Sequence, residues 1–245
     1  QWDILTHNTL AARRLVQRVG SLPPERRMVR LGSEMLQGYT EKDWKSWWQR
    51  PELQNHLPNL FAPVGEMARQ LGVKVSFHPG QFCVLSSTTP EIVERSIEEF
   101  EYHADMARWM GFGKSFQDGC KINVHISGRQ GPDGIRKALP RLSQEARNLI
   151  TIENDEMGHG LDASLELEKD LALVLDIHHH WIRDEEYIEA NDDRVKRVID
   201  SWRGQRPSMH YSYSRDEHLA VANLGDKTHT EMHNIKDLLQ RGCKK

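Results

Sequence analysis

At 245 residues, with 28% charged residues, 7% aromatics and a formal charge of −3, the chain suits one α/β domain of barrel size and has no overall basic excess. The near balance excludes a chain-wide attraction for nucleic acid, so any such affinity must come from a local patch or from bound cations. Three cysteines (Cys83, Cys120, Cys243) without CxxC spacing exclude a disulfide framework and a zinc knuckle. No apolar run nears the ~20 residues of a membrane span and no signal-peptide pattern opens the chain, so a reducing, cytoplasmic setting is the expectation.

Taken in order, Ile4–Val19 has apolar residues at helical spacing and stops at Gly20. Leu22–Arg27, with Pro23 and Pro24, reads as a loop, and Met28–Gly32 as a short strand. Residues 33–57 hold Trp44, Trp47 and Trp48 in polar company and predict a long βα loop on the active face, although such clusters more often build local core. Leu57–Leu71 predicts a helix closed by Gly72, Val73–His78 a strand, and Pro90–Met110 a long amphipathic helix. Lys121–Ser127 predicts a strand, Pro132–Arg147 a helix, Leu149–Glu153 a strand and Leu161–Glu168 a short helix. Leu171–His178 is the most apolar strand. Asp184–Trp202 is a charge-dense helix, Met209–Tyr213 a strand, Ser214–Lys227 a polar loop and Thr230–Leu239 a last helix.

Strand-like runs repeatedly end in metal-ligand side chains: VSFHPGQF at His78, INVHIS at His125, ITIEND at Glu153, LVLDIHHH at Asp176 and His178–His180, and SMHYSYS at His210. In a barrel of parallel strands all carboxyl ends open onto one face, where residues distant in sequence converge. Imidazole and carboxylate together suit divalent first-row metals, and adjacent metals suit phosphodiester hydrolysis. The alternation gives six strands, two short of a closed (β/α)8 TIM-type barrel. Because helices open and close the chain, the first and last strands are the ones missing, and Gln1 in place of Met agrees with a longer gene product. One domain, residues 1–245, is expected.

The runs FHPGQF (77–82), VHISG (124–128), IENDE (152–156), LDIHHH (175–180) and MHYSYS (209–214) resemble, in order, the motifs of the UV damage endonucleases, relatives of endonuclease IV. The resemblance implies a barrel that grips damaged double-stranded DNA, binds up to three divalent metals, often Mn2+ with Zn2+ and Mg2+ as alternatives, and cuts 5′ to a photolesion. It needs no protein partner or membrane and would associate with the nucleoid while on DNA. Carried over by position, His78, His125 and Glu153 resemble the ligands of one metal, with Glu153 bridging to a second held by Asp176 and His210. His179 and His229 resemble ligands of a third; Glu231 could help, and His218 or His233 could compete with His229. On a continuing strand His178 and His180 would share one side and His179 the other.

Gln81 and Phe82 stand where the family inserts a polar and aromatic pair into the lesion, with phenylalanine replacing a frequent tyrosine. Ser208 replaces a frequent lysine, which puts that ligand arrangement in doubt, and a glutamate from the family's final strand is absent. Arg129, Arg215 and Lys227 follow metal-bearing strands and could contact phosphates, or could be solvated loop charges. Asn154 and Asp155 could order Glu153 or its loop. His7, His56, His103 and His159 read as surface or helix residues. The implied reaction is metal-dependent hydrolysis leaving 3′-hydroxyl and 5′-phosphate ends, at photolesions and also at abasic sites. The rivals are a sugar isomerase built on the same barrel and a catalytically inactive damaged-DNA-binding relative.

Overall fold

The computed structural model describes residues 2–211. Strands β1 (Met28–Leu31), β2 (Lys74–Phe77), β3 (Cys120–His125), β4 (Ile150–Glu153), β5 (Ala172–Asp176) and β6 (Met209–His210) form one parallel sheet in sequence order. Parallel neighbours need crossovers, and right-handed crossovers between strands laid down in unbroken order put the helices on one side. The sheet therefore curls with a helical outside and a concave inside, the architecture of a TIM-type barrel. The loop expected at 214–227 and the helix expected at 230–239 lie outside the described residues, as do Arg215, Lys227 and His229.

Period-two alternation divides each strand between these two faces. Val29, Leu31, Val75, Phe77, Cys120, Ile122, Val124, Ile150, Ile152, Leu173 and Leu175 are buried in the main hydrophobic cluster with helix residues such as Leu5, Phe61, Phe100 and Leu149. Their neighbours on the inner face are mostly polar. The register pairs Arg30 with Ser76, Asn123 with Thr151, His125 with Glu153 and Asp176 with His210. At the amino ends of the strands the interior is plugged by Trp202, whose indole donates to the Leu173 carbonyl at 2.6 Å. The Lys74 ammonium lies 4.1 Å from the Trp202 ring and that of Lys121 lies 4.0 Å from Phe116. Burial pushes both lysines down to about 8.

The helices are α1 (Trp2–Gly20), α2 (Lys45–Trp48), α3 (Pro51–Leu71), α4 (Pro90–Trp109), α5 (Gly131–Ala138), α6 (Gln144–Leu149), α7 (Leu161–Leu165), α8 (Ile177–Asp184) and α9 (Asp193–Asp200). Several depart from the sequence expectation. Helix α3 starts at Pro51 rather than Leu57, because proline is well placed in a first helical turn and the stripe Leu53, Leu57, Phe61, Val64, Ala68 buries continuously past Pro58 and Pro63. The single helix expected over 132–147 breaks at Pro140, and Ser143 caps α6 by accepting from the Ala146 amide at 3.2 Å. The strand expected over 171–178 ends at Asp176, which caps α8. The helix expected over 184–202 is confined to α9, because Glu185, at φ 55°, ends α8 and Asp192 caps a new start.

The region 33–57 is not a loop extended over the active face. Trp48 is buried, and Tyr39 stacks on Tyr102 with ring centroids 5.0 Å apart, so the aromatics there build local core. Helix α3 closely approaches the C-terminal end of α4 at Gly65, where an added Cβ would stand 1.9 Å from the Met110 carbonyl oxygen. Gly65→Ala must push these helices apart, and we expect a loss of about 1–3 kcal/mol in urea-induced unfolding. Unchanged stability would mean that this close approach is not tightly packed.

Candidate metal centre

Strand register alone brings His125 and Glu153 side by side at the carboxyl ends of β3 and β4, and Asp176 beside His210 on β5 and β6. His78 follows the last residue of β2. The Glu153 carboxylate is fully buried and divides its two oxygens between two groups of imidazoles. Oε2 lies 3.3 Å from His78 Nε2 and 3.6 Å from His125 Nε2. Oε1 lies 2.7 Å from His210 Nδ1 and 3.7 Å from His179 Nδ1. Asn123, two residues before His125 on the same inner face, donates its amide to Oε2. Burial alone would raise the Glu153 carboxyl, but hydrogen bonds from His210 and His78 and the nearby His125 outweigh it and hold the group well below the usual carboxylate range.

The rings are aimed by their second nitrogens. His78 Nδ1 lies 2.9 Å from the Pro79 carbonyl, which can only accept, so Nδ1 carries the proton and Nε2 presents a lone pair when the ring is neutral. His125 Nδ1 lies 3.1 Å from Asp155 Oδ2, which favours the same tautomer. The two Nε2 atoms thus face each other at 3.2 Å beside a carboxylate oxygen, an arrangement that two neutral imidazoles leave unsatisfied and a cation satisfies. Asp155 is itself held by the amides of Met157, at 2.8 Å, and Gly158. Gly158 is required there because a Cβ would come within 2.7 Å of the Ser127 Cα.

The other half of the centre rests on a helix cap. Asp176 Oδ1 accepts from the His179 amide at 2.9 Å, which starts α8 and turns the His179 ring back toward the cluster. Its Oδ2 stands 3.4 Å from His210 Nδ1 and 3.7 Å from His179 Nε2. Asn154, fully buried, exchanges two hydrogen bonds with the Asp176 backbone at 2.9 and 2.8 Å, and its carbonyl accepts from His179 Nδ1 at 3.0 Å. Hydrogen bonding to Asp176, then to Glu153, raises His210 to about 9. The histidine triplet therefore sits on a helix and does not alternate. Of the three only His179 faces the cluster: buried His180 lies 2.9 Å from the Asp184 carboxylate, and His178 stacks on Trp181.

Among the described residues three sets of side chains bring one donor atom each within 4.8 Å of the others: His78, His125 and Glu153; Glu153, Asp176 and His210; and His125, Glu156 and His179. Imidazole nitrogens and carboxylate oxygens in this mixture fit divalent metal ions. Glu156, whose Oε2 is 3.3 Å from His179 Nε2, was not among the sequence candidates, nor was Asn123. The polar residue inside the apolar run INVH was the available signal for Asn123, and IENDE shows Glu156 only as one acid among several. Gln81 and Phe82 form an exposed turn directly after His78, with the Phe82 ring 76% accessible to solvent. Arg129 is exposed after β3.

A parallel, helix-backed sheet with His, Asp and Glu gathered at its carboxyl edge defines a barrel-type α/β protein with a centre suited to divalent metals. The UV-endonuclease UvdE family model matches residues 4–241, and the chain belongs to that family. It is 29% identical over 169 residues to a UV-damage endonuclease of Neurospora crassa, covering 62% of this chain and 26% of the relative. It is 31% identical over 163 residues to a putative UV-damage endonuclease of Acanthamoeba polyphaga mimivirus, covering 63% and 48%. The chain thus spans half or less of the length of these relatives. The crystal structure of SacUVDE shares the fold, with a TM-score of 0.74 at 22% identity, over 87% of this chain and 71% of that one. Among the described residues no helix is long and apolar enough to cross a membrane.

His103, on α4, is fully buried and supports the centre from behind. Its Nε2 lies 3.0 Å from Ser33 Oγ, which donates to the His78 carbonyl at 3.0 Å. Burial pushes His103 down to about 4. The unfolded chain, near 6.5, therefore takes up this proton before the folded one does, so stability is full above pH 6.5 and falls as pH drops toward 4. A His103→Leu variant should be less stable at pH 7, and its deficit relative to the parent should shrink by up to about 3 kcal/mol by pH 4. A deficit constant with pH would show that His103 is not held neutral.

Proposed function

We propose that this chain is the catalytic portion of a metal-dependent DNA repair endonuclease that incises the backbone 5′ to UV photolesions, and also at abasic sites, leaving 3′-hydroxyl and 5′-phosphate ends. The observation that carries the reading is the division of the Glu153 oxygens between two imidazole groups, because phosphoryl hydrolysis profits from cations held close together by a shared carboxylate. Membership in the UV-endonuclease family supports the substrate. His78, His125 and Glu153 would hold one cation, Glu153, Asp176 and His210 a second, and His179, with His229 as the family resemblance implies, a third; Mn2+ is the ion proposed. Cations bound there supply positive charge to the phosphate oxygens and lower the pKa of water, so that no side-chain nucleophile is required.

The residues themselves have separable tasks. Asn123 keeps Glu153 from rotating, and Asp155 holds the proton on His125 Nδ1, leaving Nε2 as the donor. Asn154 fixes the Asp176 backbone and the His179 ring together. Gln81 and Phe82 wedge into the damaged step, where stacking is already poor and unstacking costs less than in intact duplex. Arg129, Arg215 and Lys227 contact backbone phosphates and position the duplex without reading its sequence.

With Mn2+, an end-labelled duplex should be cut 5′ to the lesion only after irradiation, and Glu153→Gln should reduce cutting at least a hundredfold, because one carboxylate serves two cations. Selective binding to damaged duplex without any metal-dependent cutting would identify an inactive binding relative instead. Absence of selectivity for damaged DNA would turn the search toward small-molecule substrates such as sugars. Phe82→Ala should leave binding to intact duplex unchanged while reducing the preference for irradiated duplex roughly tenfold, the scale of one lost stacking contact. An undiminished preference would remove Phe82 from recognition.

A further inference from the structure

We infer that the cavity between the carboxyl ends of β1 and β2 is a second phosphate subsite, and that Arg30 is the residue that holds the phosphate. The inference rests on the endonuclease reading and extends it to Arg30, which lies outside the runs that carry the family resemblance. The cavity has a volume of about 360 Å3 and is lined by Arg30, Gly32, His78, Pro79, Gly80 and Gln81 among others. It adjoins one candidate metal ligand and the turn that carries the exposed Phe82. Because His78 and Gln81 both line it, the cavity lies alongside the segment that joins the centre to that turn.

Arg30 is placed for this by the strand itself. It pairs in register with Ser76 on β2, and His78 lies two residues further along on the same inner face, roughly 6.6 Å away along the strand. An arginine side chain spans that distance. Among the described residues the Arg30 guanidinium makes no hydrogen bond and no ion pair, and the residue is exposed. Other arginines near the sheet are committed: Arg27 donates to the Leu22 and Leu71 carbonyls, Arg69 to Met110, and Arg206 to Pro24 and Glu25. Two of the lining positions are glycines with open space around them: a Cβ added to Gly80 would meet nothing within 4 Å and one added to Gly32 only the Glu34 amide at 4.0 Å. A planar cation with no partner among the described residues, beside an open cavity and next to a centre suited to phosphodiester chemistry, matches a bidentate contact to one backbone phosphate.

The test is equilibrium binding of the chain to irradiated and intact duplexes of one sequence, in chelator without metal, over a range of salt concentrations. Arg30→Gln should weaken binding to both duplexes roughly tenfold, the scale of one charge-assisted hydrogen-bonded contact. It should also make the slope of log affinity against log salt shallower by about 0.9, the value for one phosphate contact. Arg30→Lys should restore the slope but only part of the affinity, since lysine keeps the charge and loses the fork. An Arg30→Gln slope equal to that of the parent would overturn the subsite while leaving the endonuclease reading intact. Parent protein that binds neither duplex in chelator would overturn the subsite, and parent protein that also binds neither duplex with Mn2+ would overturn both. If Arg30→Lys loses as much affinity and slope as Arg30→Gln, the arginine serves the fold instead, and the subsite is again overturned.

Discussion

The centre depends on the burial of one carboxylate. A dry, unpaired carboxylate is costly by several kcal/mol, so the Glu153 environment has to surround it with donors or neutralise it. Here the donors are the Asn123 amide and imidazoles approaching from two sides, and the carboxylate stays ionised despite its burial. The dependence runs in both directions. The Nε2 atoms of His78 and His125 sit 3.2 Å apart, and both stand within 3.6 Å of the same Glu153 oxygen. Every later layer, from Asp155 behind His125 to the Pro79 carbonyl behind His78, aims a ring at that oxygen.

Strand alternation lets such a polar centre coexist with a stable core. The residues facing the helices are aliphatic or aromatic on every long strand, and the main cluster closes without drawing on the inner face. The inner face is graded along the strands. Lysines and Trp202 fill the amino ends, Ser76, Asn123 and Thr151 occupy the middle, and the metal-type donors stand at the carboxyl ends. A substitution such as Ile152→Val would therefore be felt in packing, whereas its neighbour Glu153 is felt in charge. The bland and the chemical halves of each strand are separated by one pleat.

Much of this was legible in the sequence, because a strand that ends in a ligand type is visible without knowing the fold. His125, Glu153, Asp176 and His210 met at the carboxyl edge as their runs implied. The end of β5 was not legible in the same way. Asp176 can be a strand-end ligand or a helix cap, and only its bond to the His179 amide shows that it is placed to serve as both. That bond also explains why the triplet does not alternate while His179 is still the one turned inward. Prolines misled in two senses: Pro51 opened a helix where a loop was expected, and Pro140 broke a helix that periodicity alone would have continued. Asn123 and Arg30 were missed for a common reason, since a polar residue inside a short strand has no pattern until the neighbouring strand supplies its partner or its cavity.

Covalent continuity ties the exposed Phe82 turn to the donor cluster. His78 belongs to the donor cluster and Phe82 projects into solvent, yet the two are separated by four residues, a tether that can span no more than about 14 Å even when extended. The hydrogen bond from the Cys83 amide to the Gly80 carbonyl, at 2.9 Å, folds this segment into a turn and shortens the reach further. Cys83 and Leu85 are buried behind it, so the turn is anchored at both ends while its tip remains open. Under the proposed function, a ring at that tip entering a damaged step fixes the phosphate presented to Glu153 within a few nucleotides of the lesion. The spacing between wedge and scissile bond would then be set by the chain itself, and no base would need to be read to choose the bond that is cut.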